Sequence, residues 1–400
     1  MTEVTEKRTD LPWGEITDET IAHAAELLGT TLRRDRMGGW VTEVNIDAIS
    51  HFAQGLGDRN PLWRDPEYGK GTRWGTMLAP PTILYSVDGT TVAPRLAGVQ
   101  WLYVGTDWVW YDVIRRGDIY DAPATFVKQE VKGGEFASRW LIQTGHIRYL
   151  RRSDGLMVGE AYGKCARTPR GNALKKEGKQ KYKAREEYEY TAEELAAIER
   201  ALIEEMPRGA EPRYSEDVEV GEVLRPTVKG PLTSTDMIAW YSGWSGAAPY
   251  GGAHGDAVRY RTRHQDYHVS EKTGAKDSAG RGHLEKKTGE DVGMGGAYDI
   301  GPQRISWGAH MLTDWMGDDG FLHTLSASVK RPNLLGDTTT WHGTVTGKEV
   351  VDGYHLISID MHADNQRGET NSTAKATVLL PSRVDGPVVT PIPRNLTADK

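Results

Sequence analysis

Two short stretches hold residue types that could move protons. Residues 245–256 read Ser-Gly-Ala-Ala-Pro-Tyr-Gly-Gly-Ala-His-Gly-Asp and end on His254 and Asp256. Imidazole is the side chain that changes charge near neutral pH, and a nearby carboxylate can fix its tautomer and help activate a water. In an irregular glycine-rich backbone both side chains can reach one side. The plainer alternative is that His254 only bonds a backbone carbonyl within the turn. The other stretch is Gly57-Asp58-Arg59-Asn60-Pro61-Leu62-Trp63-Arg64-Asp65. Asp58 and Asn60 favour turns, and Pro61 cannot continue a helix. Asp58 therefore either brings a carboxylate to a site or caps a turn.

The elements around these stretches must place them. Apolar residues at 46, 49, 52, 53 and 56 have helical spacing and deliver Asp58 to its turn. A capped helix is predicted at 17–28, a strand at 40–44, and a helix over 82–97 that Gly89 and Pro94 weaken. Four β-prone segments follow, at 99–114, 120–131, 136–151 and 156–167, with Gly117-Asp118 and Ser153-Asp154-Gly155 among the turns between them. Residues 170–212 are dense in charge and read as a solvated connector, ending in a helix with the capping-box pattern Thr191 to Glu194. From Tyr214 the order recurs: a strand-like entry at 218–228, a helix at 235–244, the His254 turn, a long helix at 303–316, then strands at 321–331, 338–350, 354–364 and 369–380. Two copies of one α+β unit are expected.

Asp58 and its surroundings, with the tail Gly75-Thr76-Met77-Leu78-Ala79-Pro80-Pro81-Thr82, resemble the MaoC-like (hydratase-2) acyl dehydratases, whose usual run is G-D-x-N-P-x-H-x-D. In that family the Asp and the His add or remove water across an acyl-thioester double bond. Here the expected His is Trp63. Set against the same pattern, His254 and Asp256 match its H-x-D end, while its Asp falls at Pro249. The resemblance implies a double hotdog, a long helix wrapped by an antiparallel sheet, twice. It also implies reversible hydration of a 2-enoyl thioester on coenzyme A or an acyl carrier, with His254, Asp256 and Asp58 as the catalytic set. Asn60, Tyr250, Gly252, Arg259 and Arg331 would bind substrate. No cofactor or metal beyond the substrate's own coenzyme A is implied, and a homodimer or higher homo-oligomer is. Another hotdog enzyme, such as a thioesterase or one acting on an unusual aromatic or polyketide-like acyl group, and a non-catalytic acyl-binding subunit are the alternatives.

The expected domains are residues 1–168, a connector at 169–213, and 214–385 with an insertion at 262–300. That insertion is polar, rich in Gly, Lys and His, and reads as a mobile lid belonging to neither copy. His264, Asp266, His268 and His283 within it fit no metal-ligand spacing and read as solvated loop residues. Asp318 and Asp319 read as a helix stop. Net charge of −7 gives no electrostatic reason to expect nucleic acid. A single cysteine, Cys165, excludes an intrachain disulfide. No apolar run is long enough to cross a bilayer, and the charged N-terminus lacks a signal-peptide core, so a cytoplasmic location is expected.

Overall fold

The computed structural model describes residues 14–32, 40–133, 139–169, 185–247, 250–263, 267–270 and 273–393. Its helices are α1 (Asp18–Ala25), α2 (Ile46–Leu56), α3 (Pro66–Gly71), α4 (Leu84–Val87), α5 (Ala192–Glu204), α6 (Ser234–Trp244), α7 (His254–Arg263), α8 (Lys286–Asp291) and α9 (Gly301–Met316). The strands of the first half are β1 (Gln100–Trp110), β2 (Tyr120–Asp121), β3 (Ala124–Lys132), β4 (Trp140–Arg151) and β5 (Met157–Thr168). Then come β6 (Thr227–Lys229), β7 (Tyr267–Val269), β8 (Lys276–Ser278), β9 (Phe321–Val329), β10 (Thr339–Val351), β11 (Tyr354–Asn365) and β12 (Thr370–Leu379). Among the described residues no helix is long and apolar enough to cross a membrane.

One antiparallel sheet runs through both halves in the order β2-β4-β5-β1-β9-β12-β11-β10-β6, with β3 also paired to β4. The order is a near-palindrome about the β1–β9 pair, where Gly105 faces Ser328 and Val109 faces Thr324. Each half is thus one hotdog, and the fold is a double hotdog. Gly105 is needed at this seam. Its φ is +152°, and a Cβ there would lie 2.3 Å from the Ala327 carbonyl oxygen. Beneath the seam, α2 and α6 pack closely because Gly55 and Gly243 admit the partner backbone; a Cβ at Gly243 would lie 2.4 Å from the His51 oxygen.

The halves differ in their central helix. In the second, α9 is buried on every side: fourteen of its sixteen residues, Arg304, His310 and Thr313 included, are shielded from water. A helix buried all round must find partners for its polar side chains inside the fold. At the corresponding place in the first half only Pro81–Ile83 and α4 are helical, so the predicted helix at 82–97 stops at Val87. Thr90, Arg95 and Leu96 then adopt positive φ, which a helix cannot accommodate. Aromatic rings take up part of that volume. Trp108 stacks on Trp110 at 5.1 Å and on Tyr149 at 5.6 Å, and meets Tyr85 edge-on at 4.9 Å.

Two other expectations are corrected. Residues 40–44 form no strand. Residues 276–300 are not one long irregular loop: they form β8, a 3-10 turn at Ala279–His283, α8 and the lead-in to α9. Material without a first-half counterpart lies earlier, between Trp244 and Ser278, where α7 and the β7–β8 hairpin occur. His264 and Asp266 lie outside the described residues, as does the side chain of His268. The connector helix carries the expected capping box: Thr191 Oγ1 accepts from Glu194 N at 3.2 Å, and the Glu194 carboxylate accepts from Thr191 N at 2.8 Å. It docks on the first turn through Arg59, which donates to the Ile203 carbonyl at 2.8 Å.

Candidate active site

The chain builds the same turn twice. In the first copy Gly57 ends α2 in the left-handed region at φ 69°, a 3-10 turn covers Pro61–Trp63, and α3 begins after Asp65. In the second, a 3-10 turn covers Ala279–His283 and α8 begins after Glu285. Asp58 Oδ1 accepts from Asn60 N at 2.9 Å; Ser278 Oγ accepts from Gly280 N at 3.0 Å. Gly69 and Gly289 are both pressed onto the backbone of the returning segment, and each copy closes with one bridge, Leu78 to Arg115 and Tyr298 to Leu334. In this register Ser278 stands where Asp58 stands, His283 where Trp63 stands, and Glu285 where Asp65 stands.

His283 is the imidazole at the motif position. Its Nδ1 lies 3.0 Å from the Tyr298 carbonyl oxygen and 3.2 Å from that of Asp299. Two acceptors on Nδ1 place the proton there and leave Nε2 with a free lone pair. Burial lowers the imidazole pKa below its ordinary value, against the opposing Tyr298 carbonyl and Asp299, so the neutral base is the resting form. The carbonyls that orient it lead within two residues into Gly301, the first residue of α9. Ile300 gives this helix no side-chain cap, so its leading N–H groups are available to a developing negative oxygen.

Aromatic hydroxyls surround this turn. Tyr250 lies against Gly280, where a Cβ would sit 2.1 Å from the ring, and its hydroxyl is 2.8 Å from that of Tyr241. Burial first, and then Tyr250, raises the Tyr241 pKa well above its usual value, so it stays a hydroxyl. From the first half, Tyr103 covers Gly301, and its hydroxyl bonds Tyr85 at 2.8 Å. The Gln303 side-chain amide is buried, with neither its nitrogen nor its oxygen partnered among the described residues. Carboxylates are absent from the base position: Asp299 is taken up by Arg304, with Arg304 Nε 2.7 Å from Oδ2, and Glu285 by Arg281 at 2.5 and 2.8 Å.

The expected set around His254 is not assembled. His254 is exposed at the start of α7 with φ 49°. Asp256 is exposed and pairs with Arg259 at 3.0 Å, three residues on along the same helix. Gly252 lies in the turn before α7, half-buried with φ 83°. Arg331 is exposed and sits 3.6 Å from Glu369. Of the residues expected around His254, Tyr250 is the one that reaches the His283 site. Asp58 and Asn60 are each 1% exposed, in the other turn. Asn60 Oδ1 accepts from Leu62 N at 2.9 Å and borders a pocket lined by Trp63, Trp74, Trp110, Met316 and Phe321. Asp318 also lines this pocket and accepts from the Tyr68 hydroxyl at 2.5 Å, so it does more than stop α9. Burial raises its carboxyl pKa, and the Tyr68 hydroxyl is pushed up to about 12.

Asp58 faces His310 of α9, at 3.4 Å, and not His254. Burial pushes the Asp58 carboxyl up, Asp314 adds to this, and His310 opposes it. Burial depresses the His310 imidazole, but Asp58 and Asp314 outweigh burial and Lys229, and its pKa is raised. His283 itself was legible only by register. Laying Gly117-Asp118 over Gly336-Asp337 brings it opposite Trp63 to within a residue, and Gly69 over Gly289 makes the match. The loss of Asp, Asn and Pro at 278, 280 and 281 hid that match behind the more familiar His-Gly-Asp at 254–256.

Comparison with known proteins supports the fold. Residues 35–126 match the FAS1-like dehydratase domain region. A solved MaoC-like dehydratase superposes with a TM-score of 0.62 at 14% identity, covering 89% of this chain and 99% of that one. A MaoC domain dehydratase from Chloroflexus aurantiacus gives 0.54 at 12% identity, covering 89% and 96%. A UPF0336 protein of Streptomyces avermitilis is 38% identical over 45 residues, a match spanning 11% of this chain and 30% of that protein. The chain has the double-hotdog architecture of the MaoC-like dehydratases.

Proposed function

We propose that the second turn is the working site, and that it adds water reversibly to a 2-enoyl thioester to give the 3-hydroxyacyl thioester. One observation carries the reading: His283 holds its proton on Nδ1 against two backbone carbonyls, beside the uncapped start of α9. In hydration, Nε2 takes a proton from water as the oxygen bonds to C3. The electron pair of the C2–C3 double bond moves onto the thioester oxygen, where an α9 N–H stabilises the enolate. The imidazolium then returns its proton to C2, so atoms and charge balance with one base. Ser278 stands where the family pattern has a carboxylate, which makes His283 the sole base and is the chief departure from that pattern. The thioester is carried by coenzyme A or by an acyl carrier.

The replacement of that carboxylate by Ser278 favours one second reading. A lone base beside an oxyanion donor also suits water attack on the thioester carbonyl, which is hydrolysis. A panel of enoyl and saturated acyl thioesters separates the two. Hydration removes the enoyl-thioester absorbance without freeing thiol, whereas hydrolysis frees thiol from both kinds of ester. If neither occurs with any thioester, and none binds, the site is not an acyl-thioester site.

A further inference from the structure

Behind the first turn, away from His283, four acidic or imidazole side chains converge from three segments. Asp58 comes from the first half, His310 and Asp314 from α9, and Glu205 from the end of the connector helix α5. His310 Nε2 lies 3.4 Å from Asp58 Oδ1, 3.3 Å from Asp314 Oδ2 and 3.6 Å from Glu205 Oε1. A hydrogen bond between charged partners would be about 2.7–2.9 Å, and one N–H cannot serve three oxygens. Ligands held about 2.0–2.1 Å from a shared tetrahedral centre stand about 3.3 Å apart. His310 Nε2 stands at about that distance from Asp58 and Asp314, and ligand atoms of these three residues all lie within 4.8 Å of one another.

Two further observations point the same way. Asp314 Oδ1 is buried with no hydrogen-bond partner among the described residues, and the Asp58 side chain, 1% exposed, has only the Trp63 indole N–H facing the oxygen that Asn60 N leaves free. An ionised carboxylate oxygen in that state is costly unless a cation meets it. Charge also argues for one. Lys229 lies 3.0 Å from Glu205 and offsets one of the three carboxylates, leaving an excess that a divalent cation cancels with the imidazole neutral. We propose that Asp58, His310 and Asp314 form a structural divalent-cation site, with Glu205, held by Lys229, facing His310 from the connector, that pins the two halves together. One imidazole and two carboxylates suit zinc or manganese, and the burial of His310 and Asp58 suits a structural role.

The test uses the full chain, free of any affinity tag and purified without chelator. Elemental analysis should find about one zinc or manganese per chain. Removing it with a chelator should lower Tm by several degrees, and adding back Zn2+ should restore it. Protein loaded with Co2+ should show the visible absorption of a tetrahedral site. Asp58→Asn and His310→Gln should lose the metal. His362→Ala, in the half-exposed group of His342, His362 and Asp364, should keep it. If a variant does not fold, the Co2+ spectrum and the chelator response of the unaltered chain decide. Under a tenth of an equivalent bound after incubation with Zn2+ and Mn2+ overturns the proposal, as does metal retained in the double variant Asp58→Asn/His310→Gln.

Discussion

Asp58 to Asp65 and Ser278 to Glu285 fold alike and have divided one motif between them. The first keeps the Asp, the Asn and the Pro but fills the imidazole position with Trp63, which is 3% exposed. The second keeps the imidazole and has lost the other three. Backbone geometry survives these exchanges because Asp58 and Ser278 each satisfy one N–H two residues on, a task a hydroxyl performs as well as a carboxylate. Proton transfer does not survive them equally. An indole cannot accept a proton at neutral pH and an imidazole can. The difference teaches that the shape of this turn and its chemistry are separable, and that the chemistry follows residue 283.

Substitutions at the two equivalent positions should therefore diverge. His283→Ala should lower kcat about 10²–10⁴-fold on a substrate the protein turns over, with little change in Tm. His283→Gln should be nearly as poor, because an amide cannot shuttle the proton. Trp63→Ala should do the reverse, costing about 3–5 kcal/mol in denaturant unfolding through the cavity it leaves, while the second site keeps its kcat. Equal losses of turnover from both would end the distinction between the turns.

Gly280→Ala sharpens it further. A Cβ there would displace the Tyr250 ring, so KM should rise about tenfold with a smaller effect on kcat. The pH profile gives a quieter signature. Since burial lowers the His283 pKa, the acid limb of kcat/KM should fall below the ordinary imidazole value of about 6.5. The neutral base is then present at and above that pH and lost as pH falls through the lowered pKa. A limb above 6.5 would assign the base elsewhere. The smallest effects belong to His254→Ala and Asp256→Asn, exposed on α7: turnover within about twofold and stability within about 0.5 kcal/mol. A large loss at His254 would return the site to the His-Gly-Asp turn.

Local patterns alone determined much of this protein. Alternation and turn residues placed the four long strands of each half, and helical spacing placed α2, α6 and most of α9, because these signals are written in neighbouring residues. The Gly-Asp-x-Asn-Pro run with its Ala-Pro-Pro-Thr tail, and the recurrence of the same order from Tyr214, pointed to the double hotdog. Three matters were decided only by tertiary structure. The first half has no long central helix, since Trp108, Trp110 and Tyr149 fill space that propensity over 82–97 cannot see. Residues 276–300 lack apolar periodicity because their order comes from glycine contacts and bonds to returning backbone, as at Gly289 and His283. Lastly, Asp58 meets His310 across 252 positions of chain, a proximity that exists only once the two halves share one sheet and α9 is driven beneath it.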